Sequence, residues 1–91
     1  MGPETKKLVK SRLARVEGQV RGLIQMLEQD RYCIDVITQV RAAKAALAKV
    51  EQMVLADHLG SCVEDAIVSG DPARQREKVA ELIDVLGRSA R

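Results

Sequence analysis

From Cys33 onward, apolar residues recur at Val36, Val40, Ala43, Leu47, Val50 and Val54 in alternating steps of three and four, and the same stripe continues by steps of four to His58 and Cys62. That period marks a helix with one covered face, so the spacing predicts one helix from about Tyr32 to Val68. Helices in globular proteins average about 11 to 12 residues. In a chain of 91 residues, no neighbour from the same chain covers both ends of so long an element. Self-association is therefore expected.

Two shorter patterns flank the long one. Leu13, Val16, Val20, Leu23 and Leu27 fall on one stripe of a helix from about Thr5 to Gln29. Gly18 and Gly22 lie inside it. Glycine costs about 1 kcal/mol against alanine in a helix interior, so the pair reads either as a place where another helix comes close or as plain tolerance. Beyond the long helix, Gly70 marks a stop, Asp71 offers an N-cap carboxylate and Pro72 fits the first helical position, where its missing N–H costs nothing. A third helix from about Pro72 to Leu86 carries Val79, Leu82, Ile83 and Leu86 on one face and is expected to stop at Gly87. With no internal repeat, low-complexity segment or linker, residues 1–91 read as a single all-α domain of three helices.

Composition agrees with helix packing. Apolar residues make up 46% of the chain, yet there is no Phe, no Trp and one Tyr, so a core is built from Leu, Val, Ile and Ala. No stretch approaches the roughly 18 uninterrupted apolar residues of a membrane helix. The N-terminal residues lack the apolar region of a secretory signal, so a cytoplasmic location is expected. In a reducing compartment the two cysteines suit a metal, a redox event or plain burial better than a structural disulfide. Catalysis is not expected, because the chain offers one histidine, no paired acid and base and no phosphate loop.

His58 and Cys62 stand at i and i+4, so on a helix an imidazole and a thiolate project from one face and can converge on one metal ion. Cys33 is the obvious third ligand, but 25 residues of helix at about 1.5 Å each separate it from His58 of its own chain by nearly 40 Å. Two copies of the long helix packed antiparallel bring Cys33 of one chain opposite His58 and Cys62 of the other, and a two-fold axis builds the site twice. Two thiolates and an imidazole form a soft set that suits Cu(I) first, and Zn(II), which prefers four ligands, second. The plainer alternative treats each cysteine as a small core hydrophobe and His58 as a satisfied core histidine.

The run Glu17-Gly18-Gln19-Val20-Arg21-Gly22-Leu23 preceded by Arg12, the pair Tyr32-Cys33, and His58-Leu59 followed by Cys62-Val63 resemble the copper-sensitive operon repressor (CsoR/RcnR) family over nearly the whole chain. The family separates its sensory classes by what occupies the three ligand positions, and this sequence is similar to the copper class at Cys33, His58 and Cys62. The resemblance implies that Cys33 of one protomer and His58 and Cys62 of the other bind Cu(I), in an antiparallel dimer whose four-helix bundle doubles into a dimer of dimers. It also implies outer roles for Tyr32 and for Glu81 around the ligand histidine, with Glu77 a rival for the second. Nickel and cobalt sensors of the family use further histidines, and Met1-Gly2-Pro3-Glu4 supplies none. Formaldehyde sensors lack a cysteine where Cys62 stands. The persulfide-sensing class keeps both cysteines without the intervening histidine, so a thiol switch using Cys33 and Cys62 alone is the alternative function on the same scaffold.

Net charge is only +2, but residues 1–23 carry six Lys or Arg against two acids, whereas residues 51–91 carry five against eight. A basic N-terminal third suits an anionic partner. No zinc finger, basic zipper or helix-turn-helix is present. Read alone, Lys6, Lys7, Lys10, Arg12, Arg15, Arg21, Arg41, Lys44 and Lys49 form a solvated helix surface. The resemblance implies instead an operator-DNA face on helices one and two, with Arg12 and Lys49 at matching positions and Lys10, Arg15 and Arg41 beside them. It implies a repressor released from its operator by Cu(I), with DNA and further copies of itself as partners and no small-molecule substrate.

Overall fold

The computed structural model describes residues 1–89, so the last two positions of the expected 1–91 domain lie outside the described residues. Helix α1 spans Pro3–Glu28 and α2 spans Cys33–His58; a π-helical segment, Leu59–Val63, leads into α3, Glu64–Ser69, and α4 runs Pro72–Ser89. Among the described residues there is no strand. Contacts gather into two compact units, Met1–Leu55 and the chain from Ala56 onward.

The first unit is a helical hairpin. Pro3 occupies the first position of α1, two residues before the expected start at Thr5, because its fixed φ already suits a helix. At the other end, the Arg31 N–H donates to the Met26 carbonyl at 2.9 Å and the Asp30 N–H to the Leu27 carbonyl at 3.2 Å. Asp30 closes this Schellman-type stop at φ 52°, a left-handed conformation that aspartate tolerates better than most non-glycine residues. The Tyr32 carbonyl then accepts from the Asp35 and Val36 N–H groups and starts α2.

Val9 and Val16 of α1 and Ala43 and Val50 of α2 are the buried residues here. The expected stripe on α1 is thus covered only at Val16, with half-burial at Leu23; Leu13, Val20 and Leu27 stay exposed, Leu27 at 64%. On α2, Val40 and Leu47 are likewise exposed. A single chain leaves much of both stripes open to water. Gly18 and Gly22 do not interrupt α1, yet among the described residues nothing beyond the helix's own adjacent backbone lies within 4 Å of where a Cβ would stand on either. The close approach expected there does not occur within the chain.

The second unit turns on Gly70. It adopts φ 68°, ψ 10°, and its N–H donates to the Ile67 carbonyl. The Asp71 carboxylate accepts from the Ala73 N–H at 3.0 Å, capping α4 as the sequence predicts. Ala66, 1% exposed, is the most buried side chain of the core, and the Gln75 side chain donates to the Ile67 carbonyl at 3.3 Å. α4 runs through Gly87 to Ser89 instead of stopping there: Gly87 has no positive φ, and the Arg88–Asp84 ion pair one turn apart supports the last turn. Open space surrounds the Gly70 Cβ position, so Gly70→Ala tests the backbone conformation alone. It is expected to cost about 1 to 2 kcal/mol, read as a lower urea midpoint with unchanged slope at matched protein concentration.

Candidate metal centre

His58 ends α2 with ordinary helical dihedrals, and the chain then passes through the wide π-helical turns that carry Cys62. A π-helix pairs i with i+5 rather than i+4 and packs more residues into each turn, and such segments recur at functional sites. The Ser61 hydroxyl donates to the Asp57 carbonyl at 2.9 Å, the acceptor that an α-turn would give to the Ser61 N–H. That hydroxyl also lies 3.8 Å from the Cys62 sulfur. His58 and Cys62 are both half-buried.

Across the hairpin, α4 packs back on the π-helical segment and α3. Gly70 stands 12 residues after His58 and 11 before Glu81, so the two arms of the turn bring these side chains level. The Glu81 Oε1 lies 3.6 Å from His58 Nε2, just outside hydrogen-bond range, and Glu81 Oε2 lies 3.2 Å from Lys78 Nζ. Glu77, only 7 residues past Gly70, is exposed and takes no part in this contact. With Nε2 turned to a carboxylate, Nδ1 is the ring nitrogen left for a metal.

The other expected site residues lie in the first unit. Cys33 is exposed as the first residue of α2, and Tyr32 beside it is 69% exposed. Among the described residues, no group of three or more His, Cys, Asp or Glu side chains of the one chain could hold a metal ion. The donors present nevertheless fit a soft metal: an imidazole at the end of α2 with a thiol on the wide turn that follows, a second thiol at an open helix start, and the nearby carboxylate turned to the imidazole's outer nitrogen. Sequence reasoning missed the π-helical segment and Lys78, whose only signal was its place three residues before Glu81.

Lys10, Arg12 and Arg15 on α1 and Arg41 and Lys49 on α2 are all exposed. Arg12 and Arg15 line a pocket of about 200 Å³ with Gln19 and with Ala46 of α2, and Lys49 follows one turn beyond Ala46. Gln19 Oε1 is buried without a partner among the described residues. Arg21 is paired with Glu17 at 2.9 Å, and Arg31 lies 4.0 Å from Asp35, both on exposed helix surface.

The family model described as metal-sensitive transcriptional repressor matches residues 5–88. The chain is 46% identical over 80 residues to the copper-sensing transcriptional repressor CsoR of Bacillus subtilis, covering 88% of this chain and 76% of that one. It is equally identical, over 88% of its length and 82% of the relative's, to the copper-sensing transcriptional repressor RicR of Mycobacterium tuberculosis. Among solved structures, the copper-sensing repressor CsoR with Cu(I) from Geobacillus thermodenitrificans superposes with a TM-score of 0.90 at 38% identity, over 100% of this chain and 92% of that one.

Proposed function

This chain belongs to the metal-sensitive transcriptional repressor family, a family of regulators rather than enzymes, and from that premise we propose that it is a copper-responsive repressor of operator DNA. Its sensor is Cys33 of one protomer with His58 and Cys62 of the partner subunit, in an antiparallel dimer that pairs into a dimer of dimers. The observation that carries the reading is the half-buried His58 at the end of α2 followed by the half-buried Cys62 on the π-helical segment, with Glu81 facing Nε2 and leaving Nδ1 available. Cu(I) supplies a soft acceptor that thiolates and an imidazole share.

Cys33 opens α2 and His58 closes it, so 26 residues of one helix keep them from meeting in one chain. The exposed Ile34, Ile37, Val40 and Leu47 on α2 support a partner helix along that element. Donation from both protomers at once favours whichever dimer arrangement brings these atoms together. A ligand shifts such an equilibrium only by its differential affinity for the two states, and this shared site supplies one. Tyr32 stands beside Cys33 to join the outer contacts of His58 of the partner subunit. Lys10, Arg12, Arg15, Arg41 and Lys49 hold the operator in the metal-free state, and release turns on genes of copper export or storage. Residues 1–91 then act as one sensing and DNA-binding domain in the cytoplasm, and no described helix is long and apolar enough to cross a membrane.

Mixed oligomers test the shared site. Cys33→Ala and Cys62→Ala homodimers each lack every complete site, whereas a heterodimer of the two keeps one, made by the unaltered Cys33 and the other chain's unaltered His58 and Cys62. Copper binding regained on mixing and refolding the variants is the expected result, followed by Cu(I) competition with a chelator. No recovery in verified heterodimers overturns the intersubunit arrangement.

A further inference from the structure

Lys78 has no place in the sensor described so far, yet it is unusual for a lysine. Its side chain is only 25% exposed, where lysines are mostly solvated. Its ammonium donates to Glu81 Oε2 at 3.2 Å while the other oxygen of the same carboxylate faces His58 Nε2. Lys78 and Glu81 stand at i and i+3 of α4, on one face. Glu81 itself is 45% exposed and has three side-chain torsions, and among the described residues its polar neighbours are Lys78 and His58.

We propose that Lys78 is a positioning residue of the sensor: by anchoring Oε2, it keeps Oε1 against His58 Nε2 and so fixes the ring with Nδ1 presented beside Cys62. The inference rests on the copper reading for its consequence but not for its geometry. A carboxylate facing one ring nitrogen favours the tautomer with its proton there. An ammonium that holds the carboxylate thus acts on the imidazole at one remove. Partners that orient a ligand histidine are typically worth 10- to 100-fold in metal affinity.

His58 is the only histidine of the chain, so its ring nitrogens give unambiguous signals in ¹⁵N NMR of the full-length metal-free protein. Lys78→Met keeps an unbranched side chain one atom shorter and removes the charge; Lys78→Arg keeps a donor. In the native protein, signals of the Nε2–H tautomer are expected to dominate. Lys78→Met is expected to shift them toward a mixture of tautomers, and Lys78→Arg to restore them. Chelator competition is then expected to show Cu(I) affinity reduced by about tenfold or more in Lys78→Met and recovered in Lys78→Arg. Unchanged ring signals in Lys78→Met overturn the proposal, as does a changed tautomer with unchanged copper affinity. If the native protein bound no Cu(I) through His58, the copper reading would fall, and the metal-free spectra would still decide whether Lys78 orders the ring.

Discussion

Cys62→Ala is expected to keep operator affinity and to abolish its response to copper. Allosteric couplings of ordinary size change affinity about 5- to 150-fold; on titrating Cu(I) into protein bound to labelled operator DNA, the native protein should show a weakening in that range, and Cys62→Ala a ratio near one. Fluorescence anisotropy reads both quantities in one experiment. Affinity without copper should survive because Cys62 lies on the π-helical segment, whereas every cation assigned to DNA lies on α1 or α2. Cys33→Ala should behave identically although it stands at the start of α2, since each complete site needs both. His58→Ala separates the copper reading from its thiol-only rival. A switch built on Cys33 and Cys62 alone needs no imidazole, so a His58→Ala protein that still answered a persulfide donor with an intersubunit disulfide, the donor's sulfane sulfur leaving as sulfide while the two thiols are oxidised, would favour the rival. Copper release undiminished in Cys62→Ala would remove the sensor from this position altogether.

How far this site was legible in the sequence depends on which spacing is consulted. The alternating steps along α2 mark a helix, and the structure has one. The steps from Val50 to Val54, His58 and Cys62 are all four, and each advances about 40° beyond a full α-helical turn. A stripe that drifts that way leaves its own face unless the helix widens, and the π-helical Leu59–Val63 is that widening. The signal was therefore present, but it registered only as a continuation of the stripe. Glu81 was legible in the same way: counting equal arms from Gly70 sets it level with His58 and sets Glu77 near Val63. Lys78 was not, because a lysine three residues before a glutamate is ordinary on any helix and becomes informative only once the glutamate faces an imidazole. What covers the apolar stripes was legible only in part, for a physical reason. Period predicts that a face is covered and not by which chain, and Leu13, Val20, Val40 and Leu47 remain exposed in the single chain. Gly87 failed as a stop because glycine ends a helix through a left-handed conformation, which Gly70 adopts and Gly87 does not.

Lys49→Ala is expected to weaken operator binding and flatten its salt dependence while leaving the copper response intact. Each phosphate contact contributes about 0.9 to the slope of log affinity against log salt. A fourfold rise in salt therefore weakens binding about 3.5-fold per contact. An oligomer presents Lys49 in several copies, and if two of them face the duplex, the variant should lose about 12-fold less affinity than the native protein over that range. Arg12→Ala should do the same, because Arg12 lines the α1–α2 pocket with Arg15 beside Ala46, one turn from Lys49. Arg21→Ala is the informative control: its guanidinium is already paired with Glu17 at 2.9 Å, so its removal should change the slope least. Equal slopes for all three variants would mean that the basic residues act as a diffuse charge and not as a defined face. The opposite behaviour of Cys62→Ala and Lys49→Ala is the sharper requirement. A repressor switched by linkage must have substitutions that remove the switch without the grip and others that weaken the grip without the switch, because the coupling free energy and the DNA-binding free energy are separate quantities.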